Sequence, residues 1–350
     1  MSAGLVGEVA PAQRFDEERL RTYLERQIEG FGREMLVQQI KGGASNPTFK
    51  LTTIGRDGQL HYVLRKKPPG QLLASAHQVD REYRVMKALD GTGVPVPRMR
   101  HLCLDATVIG TAFYVMDYLD GRIFRDATLP GLTRDERAAI YDQLNATLAK
   151  LHQVDYVARG LSDFGRAGGY FERQVARWIK QYRGAETETI PAMERLIAEL
   201  PALIPPDQSV SIAHGDYRLE NTMFHPSEPR LIAVLDWELC TIGHPLADIA
   251  YNCFLWHSEG QSWGSLVGVD FAASGIPTER EYIEAYCRRT GRTNIDNWNF
   301  YLSFGVFRLA SISQGVYRRV LNGVAPSDRP ALNGTQRLAE QALELLHRAN

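Results

Sequence analysis

A carboxylate and an amide lie five positions apart in the segment SIAHGDYRLENTMF, which covers residues 211–224. The carboxylate of Asp216 can accept a proton, and the amide oxygen of Asn221 can ligate a hard cation. Phosphoryl transfer needs both abilities, because one side chain must take the proton of an attacking hydroxyl while another holds Mg²⁺ on the nucleotide phosphates. The alternatives for this segment are a polar turn between strands and a capped helix start.

A second carboxylate follows at the end of an apolar run. The segment RLIAVLDWE predicts a strand that ends at Asp236, 20 residues after Asp216. A carboxylate at a strand end is well placed to hold a hard cation through its oxygens. The alternative is a turn residue that caps the strand. Taken together, the proton acceptor, the amide and the second carboxylate favour phosphoryl transfer with a metal ion.

The elements before residue 120 predict a small α+β lobe. Residues 15–28 place apolar side chains on one helical face, and a second helix pattern covers residues 79–93. The strand-like stretches around these helices are KGGASNPTFKLTTI, QLHYVLRKK, RMRHLCL and TAFYVMDYL. A helix inserted into a few antiparallel strands is typical of an α+β architecture.

The rest of the chain predicts a mainly helical lobe. Thr133 and Glu136 have the spacing of a capping box for a helix that runs to about His152. Residues 170–183 form another amphipathic pattern, and helices dominate again after residue 278. A short strand pair is expected around residues 223–236. The predicted domains are therefore a nucleotide-binding lobe at 1–120 and a catalytic and acceptor-binding lobe at 121–350.

Composition excludes several classes of protein. Hydrophobic residues make up 44% of the chain and the formal net charge is −1, so no basic field indicates nucleic acid as a partner. The four cysteines are scattered without a C-x-x-C pair, which predicts reduced thiols. We see no signal peptide pattern and no apolar run of about 20 residues that would span a bilayer. The expectation is a cytoplasmic protein without a membrane partner; the oligomeric state is not predicted.

Two segments, HGDYRLEN and VLDWELCTIGHPLADIAY, resemble the aminoglycoside phosphotransferase and choline-kinase-like superfamily. Within it, the likeness is greatest to phosphotransferases similar to the kinase domains fused to acyl-CoA dehydrogenases. The supporting segments are GGASNPTF, YVLRKKPPG, REYRVMKAL, RQVARWIKQY and FRLASISQGVYRR. The resemblance implies a protein-kinase-like two-lobed fold, with an antiparallel sheet and one main helix in the small lobe and a larger helical lobe. It also implies ATP and Mg²⁺ as cofactors.

The resemblance implies roles for the residues of the opening segment. Asp216 would be the catalytic base or would orient the hydroxyl, and Asn221 and Asp236 would hold Mg²⁺. Arg218 would neutralise developing charge on the phosphoryl group, or else form a surface ion pair; the two interpretations are equal.

Two further residues of the large lobe would support this loop. His214 is expected to stabilise it by hydrogen bonding. Asp248 resembles the buried carboxylate that braces the catalytic loop from a following helix.

In the small lobe the resemblance assigns nucleotide contacts. YVLR takes the position of the strand that carries the nucleotide lysine in protein kinases, and the matching residue here is Arg65. Strand alternation places Arg65 and Lys66 on opposite faces, so only one can reach a nucleotide; we predict Arg65, paired with Glu82. The alternative is a pair of solvated strand-edge charges.

The predicted nucleotide loop and hinge depart from the protein-kinase pattern. GGASN would cover the phosphates with backbone N–H groups from Gly43, Ser45 and Asn46, although it is not G-x-G-x-x-G. VMDYLDG resembles the hinge, whose backbone at Met116 and Tyr118 would bind adenine. DWE replaces D-F-G and no A-P-E segment follows, which favours a small-molecule kinase over a protein kinase.

The acceptor is predicted from charge. Residues 300–350 contain six arginines against three acidic residues: Arg308, Arg318, Arg319, Arg329, Arg337 and Arg348 against Asp328, Glu340 and Glu344. This balance suits an anionic acceptor, such as a hydroxy acid or its CoA thioester, better than a polycation. The aromatic stripe of Trp178, Tyr182 and Tyr317 is expected in the core and not as a substrate platform.

Three competing functions remain at this point. An aminoglycoside resistance kinase would need an acidic acceptor cleft, and a non-catalytic nucleotide-binding scaffold would typically lose one of Asp216, Asn221 and Asp236. A metal hydrolase using His214 and Asp216 lacks further histidine ligands in the segment.

Overall fold

The computed structural model describes residues 6–41, 46–56, 58–68, 78–258, 264–323 and 333–348. They divide into two compact units. Unit 1 comprises the chain up to Phe124 together with Leu219–Cys240, and unit 2 comprises Arg125–Arg218 and the chain from Thr241 onward. Compactness therefore groups residues 219–240 with the N-terminal part, whereas the boundary predicted at residue 120 leaves them in the C-terminal lobe. The functional assignment of the two lobes stays a prediction.

The secondary structure follows in chain order. The strands are β1 (Val6–Gly7), β2 (Met35–Ile40), β3 (Thr48–Gly55), β4 (Gly58–Lys66), β5 (Met99–Cys103), β6 (Phe113–Asp117), β7 (Ser211–Ala213), β8 (Thr222–Phe224), β9 (Leu231–Val234) and β10 (Thr241–Gly243). The helices are α1 (Glu17–Gln27), α2 (Val79–Leu89), α3 (Arg134–His152), α4 (Tyr170–Ala185), α5 (Pro191–Glu199), α6 (Pro245–Cys253), α7 (Phe271–Ser274), α8 (Glu279–Thr290), α9 (Trp298–Leu321) and α10 (Thr335–His347).

Unit 1 contains an antiparallel six-stranded sheet in the order β1-β2-β3-β4-β6-β5. Sequence patterns predict four of these strands but not β1, which has two residues, or β2, whose sequence MLVQQI does not alternate cleanly. The core of the unit forms where apolar residues of α1, including Leu20 and Leu24, meet residues of the sheet such as Phe49, Leu51 and Leu64. This packing holds β4 as a rigid platform for the charged residue near its end.

Helix α2 carries one carboxylate into the interior of unit 1. Its buried positions are Val79, Glu82, Val85, Met86 and Leu89, which repeat every three or four residues along one face. Because Glu82 shares the spacing of its apolar neighbours, the helix places it among them. A buried carboxylate needs donors, and the site described below supplies them.

Unit 2 is mainly helical, and its helices α3 and α4 begin where the sequence predicts. The Thr133–Glu136 capping box is present at the start of α3, and Thr278 and Glu281 form a second one at α8. The long apolar helix α9 packs against α4, α6 and α10. No helix in the described ranges combines the length and apolar character required to cross a bilayer.

A small strand pair in unit 2 positions the segment of interest. β7 pairs antiparallel with β10, and Ala213 lies opposite Thr241. β7 leads directly into His214, and β10 leads into His244, which caps α6. Because the pair is antiparallel, His214 and His244 lie at its opposite ends, and α6 reaches back to the loop after β7 through Asp248.

Candidate active site

The loop after β7 is tethered to α6 by a buried carboxylate. Asp248 accepts hydrogen bonds from the backbone N–H groups of His214, at 2.5 Å, and Gly215, at 2.8 Å. His152 Nε2 lies 3.3 Å from the same carboxylate. Burial opposes the ionisation of Asp248, but the hydrogen bond from His152 and the loop donors hold its pKa below the ordinary value. Asp248 thus occupies the bracing position that the resemblance implies.

The carboxylate of Asp216 is oriented by a tyrosine. The Tyr251 hydroxyl donates to Asp216 Oδ1 at 2.7 Å, and burial together with the negative charge of Asp216 raises the pKa of Tyr251 well above its usual value. Tyr251 therefore remains a protonated donor at neutral pH. The Asp216 N–H donates to His214 Nδ1 at 3.2 Å, so His214 stabilises the loop as predicted. Arg218 is ion-paired with Asp216 itself, with Nε 3.5 Å from Oδ1.

A second tether comes from α9. Arg308 Nη2 donates to the carbonyl of Gly215 at 2.7 Å. Its guanidinium carbon lies 5.3 Å from the centre of the Tyr251 ring and 5.6 Å from that of Trp178. The residue preceding Asp216 is thus fixed through its N–H by Asp248 and through its carbonyl by Arg308.

Unit 1 gathers three carboxylates around one arginine. Arg65 Nη2 lies 2.9 Å from Asp236 Oδ1 and 3.7 Å from Glu238 Oε2. Its Nε lies 3.2 Å from Glu82 Oε2, so the predicted Arg65–Glu82 ion pair is present, without the alignment of a hydrogen bond. Lys66 lies on the other face of β4, where Nζ is 3.1 Å from Gln13 Oε1. Arg65 is therefore the one of the two that joins the carboxylate cluster.

Glu82 is held by donors on both of its oxygens. Asn46 Nδ2 donates to Oε1 at 2.7 Å, and the Tyr114 hydroxyl donates to Oε2 at 2.9 Å. Burial raises the pKa of Glu82 to about 7, and the positive charge of Arg65 offsets only part of this effect. Asn46 was predicted to cover phosphates with its backbone; its side chain here supports Glu82.

A hairpin in unit 1 brings the backbones of the two predicted magnesium ligands into neighbouring positions. Thr222 of β8 lies opposite Val234 of β9, and the Leu235 N–H donates to the Asn221 carbonyl at 2.8 Å. Asn221 is therefore a neighbour of the turn that contains Asp236. Asp236 has the left-handed backbone conformation, with φ 62° and ψ 63°, which is uncommon for residues other than glycine and often marks functional positions.

The oxygens of this hairpin fit Mg²⁺. In the described part of the chain, no group of three or more His, Cys, Asp or Glu side chains is arranged to hold a metal. Mg²⁺, however, commonly takes only one or two protein carboxylates and completes its shell with water and substrate phosphates. One carboxylate and one amide oxygen are therefore a sufficient donor set.

The predicted hinge and loop are only partly described. Met116 pairs with Val63 in the sheet, and the Tyr118 N–H donates to the His61 carbonyl at 3.2 Å. An adenine ring would therefore have to use another backbone group of this segment. Gly43 and Ser45 lie outside the described residues.

Tyr251, His152 and Tyr114 are not among the residues predicted from the sequence. Tyr251 had a usable signal, because it follows Asp248 by three positions in a predicted helix and so shares its face. His152 and Tyr114 are distant in sequence from their partners, and nothing in their local pattern indicates these contacts.

Comparison with protein families gives one match over most of the chain. Residues 36–299 match the model described as the phosphotransferase enzyme family. Human acyl-CoA dehydrogenase family member 11 is 46% identical over 356 residues, which cover 98% of this chain and 44% of that protein. Mouse family member 10 is 48% identical over 313 residues, which cover 88% of this chain and 29% of that protein. The chain thus spans less than half the length of these curated relatives.

Two solved structures each resemble the chain over 95% of its length. A protein of Ralstonia eutropha described as a candidate aminoglycoside phosphotransferase has a TM-score of 0.87 and 47% identity, covering 95% of this chain and 98% of that one. Choline kinase from Cryptosporidium parvum has a TM-score of 0.60 and 14% identity, covering 95% and 94%, and so supports the fold alone. The predicted superfamily and the α+β, kinase-like fold are confirmed.

Proposed function

Because the chain belongs to the phosphotransferase enzyme family, we propose that it transfers the γ-phosphoryl group of ATP to a hydroxyl of a small anionic molecule. One observation carries this proposal. Asp216 receives a hydrogen bond from Tyr251 and lies on a loop whose backbone is fixed by Asp248. A general base must be held in one orientation to accept a proton efficiently, and these contacts provide that orientation.

The reaction follows from the role of this base. The acceptor oxygen forms a bond to the γ-phosphorus, the bond from that phosphorus to the β,γ-bridging oxygen breaks, and ADP leaves. The hydroxyl proton passes to the carboxylate of Asp216. Arg218, which is ion-paired with Asp216, supplies a positive charge beside this oxygen.

The cluster in unit 1 supports nucleotide binding. Asn221 and Asp236 are the residues that would hold Mg²⁺, which when bound neutralises the negative charge of the phosphates. Arg65 offers a guanidinium that can form paired hydrogen bonds with phosphate oxygens, and Glu82 fixes its position. A charged guanidinium therefore replaces the lysine of protein kinases in this proposal.

The proposal of an anionic acceptor is supported by the charge of the C-terminal residues and by the names of the relatives. Arginines outnumber acidic residues from residue 300 to the end of the chain. The curated relatives are named as acyl-CoA dehydrogenase family members, which act on acyl thioesters by their name. A hydroxy acid or a hydroxyacyl-CoA is the hydroxylated compound of that chemistry. The dehydrogenase activity of the longer relatives is not part of the proposal.

A second acceptor class is favoured by one comparison. The Ralstonia protein, similar over nearly its whole length, is described as a candidate aminoglycoside phosphotransferase. An aminoglycoside is a polycation and would need carboxylates around the acceptor. The two arginines near Asp216, Arg218 and Arg308, favour the anionic acceptor instead.

The test is release of ADP from Mg-ATP by the purified protein with a panel of acceptors. The panel contains hydroxy acids, hydroxyacyl-CoAs, aminoglycosides, amino alcohols and sugars, and Asp216→Asn is the control. Turnover with the anionic compounds that is lost in the variant is the expected result. Turnover confined to aminoglycosides would show that the acceptor is a polycation and not an anion. The absence of Mg-ATP binding would refute the kinase proposal.

A further inference from the structure

Two buried donors in unit 2 have no hydrogen-bond acceptor among the described residues. Arg308 Nε and Trp178 Nε1 are both shielded from solvent, and neither donates to any group in the described part of the chain. Buried N–H groups without a partner cost about 1–3 kcal/mol each, so native proteins rarely retain them without a reason. Two such groups on neighbouring side chains indicate a missing acceptor.

The two donors belong to adjoining helices. Arg308 lies on α9 and Trp178 on α4, which pack together, and the guanidinium carbon is 5.6 Å from the Trp178 ring centre. The guanidinium is also oriented, because Nη2 donates to the Gly215 carbonyl at 2.7 Å. No carboxylate of the described residues forms an ion pair with Arg308. Next to the loop that carries Asp216 there is therefore an oriented cation that has no counter-ion in the ranges that the structure describes.

Tyr251 connects this cation with the base. Its ring centre lies 5.3 Å from the Arg308 guanidinium, and its hydroxyl donates to Asp216 Oδ1 at 2.7 Å. An anionic group at Arg308 and a hydroxyl at Asp216 would therefore both lie beside Tyr251, the first near its ring and the second near its hydroxyl. A small hydroxylated anion can reach both.

We propose that Arg308 and Trp178 bind the carboxylate of the acceptor, with Arg308 Nε–H and Trp178 Nε1–H as donors, and thereby determine the preference for anionic substrates. This inference rests on the proposed function, which supplies the acceptor. It also departs from the expectation that Trp178 is a core residue only. A site built to hydrogen-bond a substrate group rejects analogues without it strongly, because its buried donors are then left unpaired.

Binding is tested first, without any need for turnover. Protein labelled with ¹⁵N-tryptophan shows one indole N–H signal for each of its five tryptophans, and Trp178→Phe assigns that of Trp178. The ligands are 2-, 3- and 4-hydroxybutanoate and the matched hydroxybutanamides, which lack the charge. We expect at least one carboxylate to move the Trp178 signal and its amide to leave it unchanged. A signal that no carboxylate moves would overturn the proposal.

The variants separate recognition from support of the loop. Arg308→Gln should weaken carboxylate binding by about 100-fold, the loss of a charged hydrogen-bonded pair, whereas Trp178→Phe should weaken it by about tenfold. Arg308→Lys keeps the charge but loses the planar fork, and should fall between wild type and Arg308→Gln. Arg280→Gln, at an exposed arginine on α8, is the control and should change nothing.

Steady-state kinetics then distinguish failure of this inference from failure of the proposed function. If Arg308 recognises the carboxylate, Arg308→Gln lowers kcat/KM for the hydroxybutanoate but leaves that for the matched amide within about threefold. If Arg308 only supports Gly215, both acceptors lose equally, which would refute this inference and leave the kinase proposal standing. Carboxylate binding at Trp178 with no phosphorylation of any acceptor would refute the proposed function instead.

Discussion

The polar clusters of the two units have opposite charge balances. In unit 1 a single arginine, Arg65, faces Glu82, Asp236 and Glu238 within 4 Å. In unit 2 the carboxylate of Asp216 lies beside Arg218, and Arg308 adds a second guanidinium without a carboxylate partner in the described residues. The first cluster has an excess of negative charge and suits a cation, whereas the second has an excess of donors and suits an anion.

This difference indicates what each cluster would bind. An excess of carboxylates raises the free energy of the ligand-free protein unless a cation or protons compensate it. Burial is the main cause of the raised pKa of Glu82, and the negative charges of Asp236 and Glu238 add to it. Unpaired donors also raise the free energy of the ligand-free protein, and an anion would compensate them. Charge balance therefore separates the residues proposed for the metal and the nucleotide from those proposed for the acceptor, without reference to any ligand.

The largest effect is expected from Asp216→Asn. The amide can still accept a hydrogen bond from Tyr251 but cannot take a proton, so kcat should fall by about 10³-fold, within the range for general bases. The affinity for Mg-ATP, which calorimetry measures, should stay within about threefold of wild type because the assigned nucleotide residues lie in unit 1. A comparable loss of nucleotide affinity would contradict the division of roles between the clusters.

The next effect concerns stability. Both oxygens of Asp248 accept hydrogen bonds from backbone N–H groups, and in Asp248→Asn one of these oxygens is replaced by an NH₂ group that cannot accept. We expect this substitution to lower the free energy of unfolding by about 3 kcal/mol. Urea unfolding followed by fluorescence measures it. Asp135→Asn, an exposed position on α3, serves as the control and should change the free energy by less than about 0.5 kcal/mol. Equal stability of the two variants would show that the Asp248 contacts are not a tether.

Asp236→Asn examines the acidic cluster. Asparagine tolerates the left-handed backbone, so the turn should persist, while one negative charge is lost. We expect the Mg²⁺ concentration for half-maximal activity to rise by about 10- to 100-fold, the range for altered metal-site residues. Glu238→Gln, whose carboxylate is 3.7 Å from Arg65, should have a smaller effect. An unchanged Mg²⁺ requirement would exclude Asp236 as a ligand.

The smallest expected effect is a different dependence of stability on pH in the two units. Burial lowers the pKa of His244 in unit 2 to about 4, so its contribution to stability is complete above pH 6.5 and declines as the pH falls toward 4. Burial raises the pKa of Glu82 in unit 1 to about 7, so its contribution is complete below pH 4.5 and declines as the pH rises through 7. Between pH 7.5 and 5.5 the two units should shift by about 1–2 kcal/mol in opposite directions.

Hydrogen exchange of amides in each unit measures these shifts separately, after correction for the intrinsic exchange rates. His244→Asn keeps a residue that can cap α6 but does not titrate, and should abolish the pH dependence of stability in unit 2 alone. Glu82→Gln, which mimics the protonated carboxyl group, should abolish it in unit 1 alone. Shifts of the same sign in both units would mean that other groups dominate.

Local patterns predict much of the fold and part of the candidate site. The capping box at Thr133, the α2 pattern and the strand alternation around Arg65 are signals within a few residues, and the structure contains each of them. Strands β1 and β2 lack such a signal, because their pairing within the sheet, and not their own sequence, defines them. The same limit explains why the predicted boundary at residue 120 and the compact grouping of residues 219–240 differ: the sequence of a short hairpin does not indicate the unit against which it packs.

The contacts that refine the site depend on long-range packing. His152 reaches Asp248 across 96 positions, and Arg308 reaches Gly215 across 93. Their residue types are ordinary in amphipathic helices, so a single sequence does not distinguish them from surface charges. Asp216 and Asn221 differ, because the chemistry itself sets their spacing.

Helix α6 presents three consecutive contacts to the loop, and this has a consequence for evolution. Asp248, Tyr251 and Asn252 follow the i, i+3, i+4 spacing, and they hold the backbone of Gly215, the carboxylate of Asp216 and the carbonyl of Tyr217. One inserted residue in this helix would rotate the following side chains by about 100° and separate Tyr251 and Asn252 from the loop together. The three positions therefore depend on one helix length. A substitution disturbs one of these contacts, whereas an insertion or deletion in the helix disturbs several at once. Acceptor preference can diversify on α4 and α9 while these three positions stay constant.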